Sequence, residues 1–113
     1  MNHKKIISLI GISMKAGKVA SGEFATEKAV KTGKAFLVIV SAEASANTKK
    51  KFRNMCEYYK TPYYEFGEKT ELGRAIGKEF RASLAVTDEN LGKALEKQIR
   101  MLDSNLLDST ECN

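Results

Sequence analysis

The residues with the clearest chemical potential lie between two glycines, Gly22 and Gly33. The segment between them carries Lys28 and Lys31, and a spacing of three residues places both on one side of a helix. Gly33 is the residue type that commonly ends helices, and Gly22 allows another molecule to approach the backbone closely. Free N–H groups at a helix N-terminus, with cations one turn further on, attract anions. The segment therefore predicts an anion-binding site and a polyanionic partner.

A second basic group lies in the run Thr48–Arg53. On a helix, Lys49, Lys50 and Arg53 share a side because they are three or four residues apart. Such runs are usually solvated helix faces, and they can also contact phosphates without reading base sequence. We interpret these three residues as secondary phosphate contacts.

Phe24 lies in the first turn of the helix that follows Gly22, between residues whose polarity suggests exposure. Two interpretations stay open at this point. The ring either folds back onto the core or onto the first helix, or it stays in solvent, where it can stack on an unpaired base.

The sequence lacks the patterns of the common enzyme and metal sites. Its single histidine, His3, is close to the N-terminus, and Cys56 has no cysteine or histidine at ligand spacing. No mid-chain histidine is present as a base for a serine, cysteine or carboxylate nucleophile. Cys56 instead occupies an apolar helical position typical of a buried thiol. We predict a non-catalytic protein with no metal and no other cofactor.

The charge is uneven along the 113 residues. Residues 1–60 hold 12 Lys and Arg against 4 Asp and Glu, whereas residues 61–113 hold 7 against 10. A basic patch of this kind favours a nucleic-acid partner. No apolar run is long enough to span a bilayer, and two isolated cysteines do not make a disulfide framework. The composition predicts a cytoplasmic protein with no membrane partner.

Hydrophobic periodicity and turn residues predict the elements that position these groups. Helices are expected over 3–15 and 22–32, from a cap at Ser45 or Asn47 to Tyr59, from a cap at Thr70 to Ile76, and after a cap at Asp88. Strands are expected over 19–21, 35–41, 63–66 and 82–87. The strand at 35–41 lacks polar alternation, which is typical of a central strand covered on both faces.

The alternation of these elements predicts an α/β fold, a three-layer α/β/α sandwich with a four-stranded mixed sheet. We expect one domain over residues 1–102 and a frayed tail over 103–113.

Three stretches of the chain, in their order and spacing, resemble the superfamily of the ribosomal proteins L7Ae and L30e. They are Gly22 with Lys28-Ala-Val and Gly33, the strand Ala35–Val40, and the segment Leu72–Asp88. The stretches Gly17–Glu23 and Glu71–Lys78 most resemble the bacterial YlxQ-like branch, and the resemblance covers about residues 4 to 100. Proteins of this superfamily are small α/β/α RNA-binding proteins, many of which recognise the kink-turn.

In the kink-turn binders of this superfamily, the helix after the first glycine carries Asn-Glu and, three residues after the Glu, a Lys. The Asn and Glu contact sheared guanines, and the Lys assists. Gly22 and Lys28 match this pattern, whereas Phe24 and Ala25 replace the Asn and Glu and cannot make their hydrogen bonds. By analogy with DNA base readout, each lost contact would cost on the order of 1–3 kcal/mol in discrimination. The superfamily's loop over a splayed-out nucleotide falls on Lys78–Ser83, where an aromatic ring and a guanidinium are available to stack or pair with RNA.

The resemblance implies a non-catalytic RNA-binding protein that acts in translation or ribosome assembly on structured, kink-turn-like RNA. Its partners would be ribosomal or other structured RNA, with possible association with the ribosome, and the protein would be a monomer. The implied RNA-binding residues are Ser21, Gly22, Glu23, Phe24, Lys28, Lys31, Glu43, Lys78, Glu79, Phe80 and Arg81. The alternative is a protein-interaction module on the same fold, which has lost structure-specific RNA recognition and uses Phe24 as an apolar anchor.

Overall fold

The computed structural model describes the backbone of residues 2–112 and the side chains of residues 3–102. Within this part of the chain, helices and strands alternate as the sequence predicts. The elements are α1 (Asn2–Lys15), β1 (Val19–Ser21), α2 (Glu23–Lys31), β2 (Leu37–Val40), α3 (Ala46–Tyr59), β3 (Tyr63–Glu65), α4 (Lys69–Ala75), β4 (Ser83–Val86) and α5 (Glu89–Cys112). The predicted tail 103–113 lies outside the residues whose side chains are described.

The four strands form one mixed sheet in the order β1-β4-β2-β3. Strand β4 runs antiparallel to both β1 and β2, and β3 runs parallel to β2. Val86 of β4 lies between two partners in register, Val19 of β1 and Leu37 of β2. The last strand of the sequence is therefore an interior strand of the sheet.

Strand β2 is covered on both faces, as its unbroken apolar sequence predicts. Its side chains point alternately to the two faces, and all four are fully buried. Leu37 and Ile39 join one core with α1, α4 and α5, whereas Val38 and Val40 join a second core with α2 and α3. Burying each such side chain contributes about 1.5–3 kcal/mol. The predicted three-layer α/β/α sandwich is confirmed.

Two of the predicted helix caps are confirmed. The Ser45 hydroxyl accepts a hydrogen bond from the backbone N–H of Thr48 at 3.1 Å, which starts α3. The Asp88 carboxylate accepts one from the N–H of Leu91 at 2.9 Å, which starts α5. Asn47, the other candidate for the first cap, lies inside α3.

The predicted cap at Thr70 is wrong because the N-cap of α4 is Glu68, two residues earlier, and Thr70 lies inside the helix. The Glu71 carboxylate accepts a hydrogen bond from the N–H of Glu68 at 2.9 Å. The Glu43 carboxylate, from the loop after β2, accepts one from the N–H of Lys69 at 3.0 Å. Carboxylates thus replace the expected hydroxyl at this helix start, where the macrodipole also favours negative charge.

The strands are shorter than predicted at several ends. Strand β2 begins at Leu37 rather than Ala35, because the N–H of Ala35 is bonded to the carbonyl of Ala29 at 3.1 Å instead of to a neighbouring strand. The residue between them, Phe36, is partly exposed. The chain therefore remains tied to α2 through Ala35, and its bonding to the sheet starts with the N–H of Phe36, which donates to the carbonyl of Val86 in β4 at 2.8 Å.

Candidate nucleic-acid interface

One end of the sheet gathers the three segments expected to bind RNA. Strands β1 and β2 end there and β4 begins there, because β4 is antiparallel to both. The N–H of Gly22 donates to the carbonyl of Ser83 at 3.0 Å, and the N–H of Ser41 donates to that of Ala82 at 2.8 Å. We call the surface formed by residues 21–28, 42–45 and 78–83 the loop end.

Helix α2 begins at the loop end without a side-chain cap. Its N-cap residue is Gly22, at φ 92°, a left-handed conformation that glycine adopts without strain. A glycine has no side chain with which to satisfy the N–H groups of the first turn. The N-terminus of α2 is therefore not capped by a side chain, and the binding of an anion there stays a prediction.

Phe24 stands in solvent in this first turn, with 81% of its surface exposed. The interpretation in which the ring folds back onto the core is wrong. The buried face of α2 is formed by Thr26, Ala29 and Val30, and Phe24, two residues before Thr26, points to the other side of the helix. An exposed aromatic ring thus stands beside an uncapped helix N-terminus.

The two lysines of α2 differ in their surroundings. The Lys31 ammonium lies 2.7 Å from the Glu27 carboxylate, four residues earlier on the helix. Lys28 is exposed and forms no ion pair with any residue in the range 3–102. Lys28 is therefore the cation of this pair that is free to neutralise a phosphate.

Two carboxylates of α2 hold a lysine of α3. The Lys51 ammonium lies 2.8 Å from both the Glu23 and the Glu27 carboxylates. Hydrogen bonds from Lys31 and Lys51 lower the pKa of Glu27 to about 2. The side of α2 that faces α3 is consequently a charge-balanced network, which also engages Glu23, one of the predicted RNA-binding residues.

The basic run of α3 is also partly neutralised. Arg53 and Lys49 both approach the Glu65 carboxylate at the end of β3, at 3.1 and 3.9 Å. Lys50 is exposed and has no ion pair among the described side chains. Of the three predicted secondary phosphate contacts, the structure brings two onto an acidic partner and leaves one in solvent.

The loop Lys78–Ser83 is fixed to its surroundings at several points. The Arg81 side chain donates to the Phe80 carbonyl at 2.8 Å and approaches the Ser21 hydroxyl at 3.4 Å. The backbone N–H of Arg81 donates to the carbonyl of Lys69 at 3.0 Å. Phe80 remains 57% exposed, and its neighbours Lys78 and Glu79 are exposed as well. The loop therefore presents its aromatic ring on a backbone that is held in place.

Two residues that sequence reasoning missed shape this loop and the one beside it. Gly73 of α4 lies so close to the backbone of Phe80 that a side chain there would collide with it. A glycine inside a helix is a recognisable signal of close packing.

The second residue is Ser41, whose hydroxyl donates to the carbonyl of Gly67 at 2.9 Å and accepts from the N–H of Glu43 at 3.0 Å. Because the Glu43 carboxylate also accepts a hydrogen bond from the N–H of Lys69, it links the loop after β2 to the start of α4.

Cys56 and His3 occupy structural positions. Cys56 is 1% exposed, and burial raises the pKa of its thiol to about 11. His3 contacts the Glu71 carboxylate at 2.5 Å. Within the described part of the chain, no three His, Cys, Asp or Glu residues are grouped as a metal site requires. None of the helices described there has the length and apolarity to cross a membrane.

The fold and the loop end define a small α/β/α domain with an uncapped helix, a free lysine and two exposed aromatic rings at one end. The model of the ribosomal protein L7Ae/L30e/S12e/Gadd45 family matches residues 4–100 of this chain. The protein belongs to that family, which confirms the resemblance recognised in the sequence.

Individual relatives agree with this assignment. The RNA-binding protein YlxQ of Bacillus subtilis is 42% identical over 95 residues, which cover 84% of this chain and 92% of that protein. The large ribosomal subunit protein eL30 of Candida albicans is 36% identical over 89 residues, which cover 77% of this chain and 84% of that protein. The solved structure of a Bacillus halodurans C protein of unknown function has a TM-score of 0.83 at 38% identity, covering 85% of this chain and 97% of that one.

Proposed function

We propose that this protein binds structured, kink-turn-like RNA through the loop end and acts without catalysis in translation or ribosome assembly. The observation that carries the proposal is the grouping at one end of the sheet of an uncapped helix N-terminus, the unpaired Lys28 and the exposed rings of Phe24 and Phe80. Relatives named as RNA-binding and ribosomal proteins support RNA as the polyanion.

Each group at the loop end has a separate role in the proposed complex. Lys28 and the first-turn N–H groups of α2 neutralise and position a phosphate. Phe24 and Phe80 stack on unpaired bases, an interaction worth about 1–3 kcal/mol per base. Ala25 offers no hydrogen-bonding side chain, so recognition rests on RNA shape and on bases that are already unstacked.

The proposal is tested by measuring the affinity for a kink-turn RNA and for a plain duplex of equal length over a range of salt concentrations. The kink-turn RNA should bind more tightly, because only it presents unstacked bases. Equal affinity for the two RNAs would contradict structure-specific recognition.

The two lysines of α2 supply a matched pair of variants for the same measurement. Lys28→Gln should reduce the slope of log affinity against log salt by about 0.7–0.9, the value of one phosphate contact. Lys31→Gln should change it less, because Lys31 is already paired with Glu27. A larger effect at Lys31 would contradict the assignment of Lys28 as the phosphate ligand.

The stacking role of Phe24 is tested by Phe24→Ala and Phe24→Tyr. The alanine variant should lose about 1–3 kcal/mol of binding free energy, and the tyrosine variant should retain most of it, since its ring still stacks. Because the side chain is 81% exposed, both variants should unfold at the temperature of the wild type.

The exposure of Phe24 also favours a second candidate function, a protein-interaction module in which this ring anchors a partner. Crosslinking in cells, followed by sequencing of the bound RNA, separates the two. An enriched RNA that depends on Lys28 supports RNA binding. A stable protein partner that depends on Phe24, with no enriched RNA, favours the interaction module.

A further inference from the structure

A groove runs from the loop end along the outer side of α2, between that helix and the edge strand β1. Small side chains line it, among them Ala20, Ala25 and Ala29. It starts at Phe24 and reaches Lys34 and Thr87. Since Thr87 follows the end of β4, the groove leads from the loop end to the opposite end of the sheet.

Two cations, Lys28 and Lys34, form part of the wall of this groove. Lys18 lies outside the wall but next to its far end, since its backbone carbonyl accepts a hydrogen bond from the N–H of Thr87 at 2.8 Å. All three lysines are exposed, and none forms an ion pair with any residue between 3 and 102.

The opposite side of α2 carries balanced charge. There Lys31 and Lys51 are held by the carboxylates of Glu23 and Glu27 at 2.7–2.8 Å. The uncompensated positive charge on this helix is therefore on its groove side. A concave surface with a small, apolar floor and a rim of free cations is complementary to a phosphate backbone and offers little for reading bases.

We infer that this groove binds the sugar–phosphate backbone of an RNA arm that leaves the loop end, in a sequence-independent manner. The inference rests on the proposed function, because the RNA must first be bound at the loop end. The nine residues of α2 span about 14 Å at 1.5 Å per residue. With one phosphate per roughly 3.4 Å of strand along a duplex, this length accommodates about four phosphates.

The test compares three probes, a kink-turn RNA hairpin with short arms and two versions of it, in each of which one of the two arms is extended. The wild-type protein should bind one of the extended RNAs more tightly than the short one. The double variant Lys18→Gln with Lys34→Gln should lose this gain and bind the short RNA as the wild type does. For two phosphate contacts, the gain should shrink about tenfold between roughly 50 and 200 mM salt.

Lys97→Gln is the matched control, since it removes the same charge from an exposed position on α5, which covers the other face of the sheet. It should keep the gain from the longer arm. If the wild type binds the short and the extended RNAs equally tightly, the inference is overturned and the proposed function stands. The same conclusion follows if the double variant keeps the gain in affinity from the longer arm. If the wild type binds none of the three RNAs, the proposed function fails and the inference fails with it.

Discussion

Gly73 of α4 lies directly against the backbone of Phe80, so that a methyl group on its Cα would stand 2.4 Å from the Cα of Phe80 and 2.6 Å from its nitrogen. A Cβ atom does not come so close to backbone atoms to which it is not bonded. The missing side chain of one residue therefore sets the position of the loop that presents an exposed aromatic ring.

Gly73→Ala should destabilise the protein and weaken RNA binding together, because the loop must move away from α4 to make room for the methyl group. The expected loss is about 1–3 kcal/mol of the free energy of unfolding, as for other overpacked positions. Urea unfolding and RNA titration measure the two effects. Gly11→Ala is the control, since the nearest atom there is the Ala75 carbonyl oxygen at 3.3 Å. Equal stability of the two variants would contradict the contact.

Removing two buried hydroxyls, those of Ser41 and Thr26, should change the stability of the protein in different ways. The Ser41 hydroxyl bridges Gly67 and Glu43, so Ser41→Ala should cost about 1–3 kcal/mol through the loss of two hydrogen bonds, each worth roughly 0.5–1.5 kcal/mol. The Thr26 hydroxyl is fully buried and has no hydrogen-bond partner in the described part of the chain. Thr26→Val keeps the shape of the side chain and should be neutral or stabilising by up to about 1 kcal/mol. Thermal unfolding of both variants provides the comparison, and a destabilised Thr26→Val would show that its hydroxyl is satisfied.

The network around Glu27 should be visible as a titration at low pH. Because hydrogen bonds from Lys31 and Lys51 lower the pKa of this carboxyl from 4.5 to about 2, the network is fully formed above pH 4.5 and its contribution is lost as the pH falls towards 2. The carboxyl carbon, followed by NMR, should titrate close to pH 2 in the wild type. Lys31→Gln and Lys51→Gln should each raise that pKa, and Lys97→Gln should leave it in place. An ordinary pKa in the wild type would mean that the lysines do not hold Glu27 in solution.

The thiol of Cys56 should react only when the protein opens. It is 1% exposed, and its pKa is raised to about 11 by burial, so both access and thiolate formation are suppressed. In a Cys112→Ser background, which leaves one thiol, iodoacetamide labelling should be slow and should accelerate in urea. Fast labelling without denaturant would contradict a closed core between α3 and the sheet.

The elements of the fold could be predicted from sequence because their signals are local. Gly33 ends α2 with a φ of 74°, and Asp88 starts α5 with its own carboxylate. The cap of α4 could not be predicted in the same way. Part of it comes from Glu43, which lies 26 residues away from Lys69 along the chain.

The segments of the candidate site could be named from the sequence, but the ion pairs that neutralise some of its charges were harder to predict. Spacing identified Lys28 and Lys31 as neighbours, and the same spacing rule applied to Glu27 would have shown that Lys31 is paired. The pairing of Arg53 with Glu65 depends on how α3 packs on β3, which no local pattern reveals. Phe24 and Thr26 invert the usual rule that apolar side chains are buried and polar ones exposed, so the orientation of α2 decides their exposure.

The strand order has a consequence for synthesis of the protein. Strand β4 comes last in the sequence but lies between β1 and β2, so β1 has no strand partner in the sheet until residues 83–86 have left the ribosome. The first two thirds of a nascent chain thus carry Phe24 and Lys28 without the backbone bond from Gly22 to Ser83 that sets the start of α2. Affinity for RNA at this surface should therefore arise late in synthesis, when β4 pairs with β1 and β2.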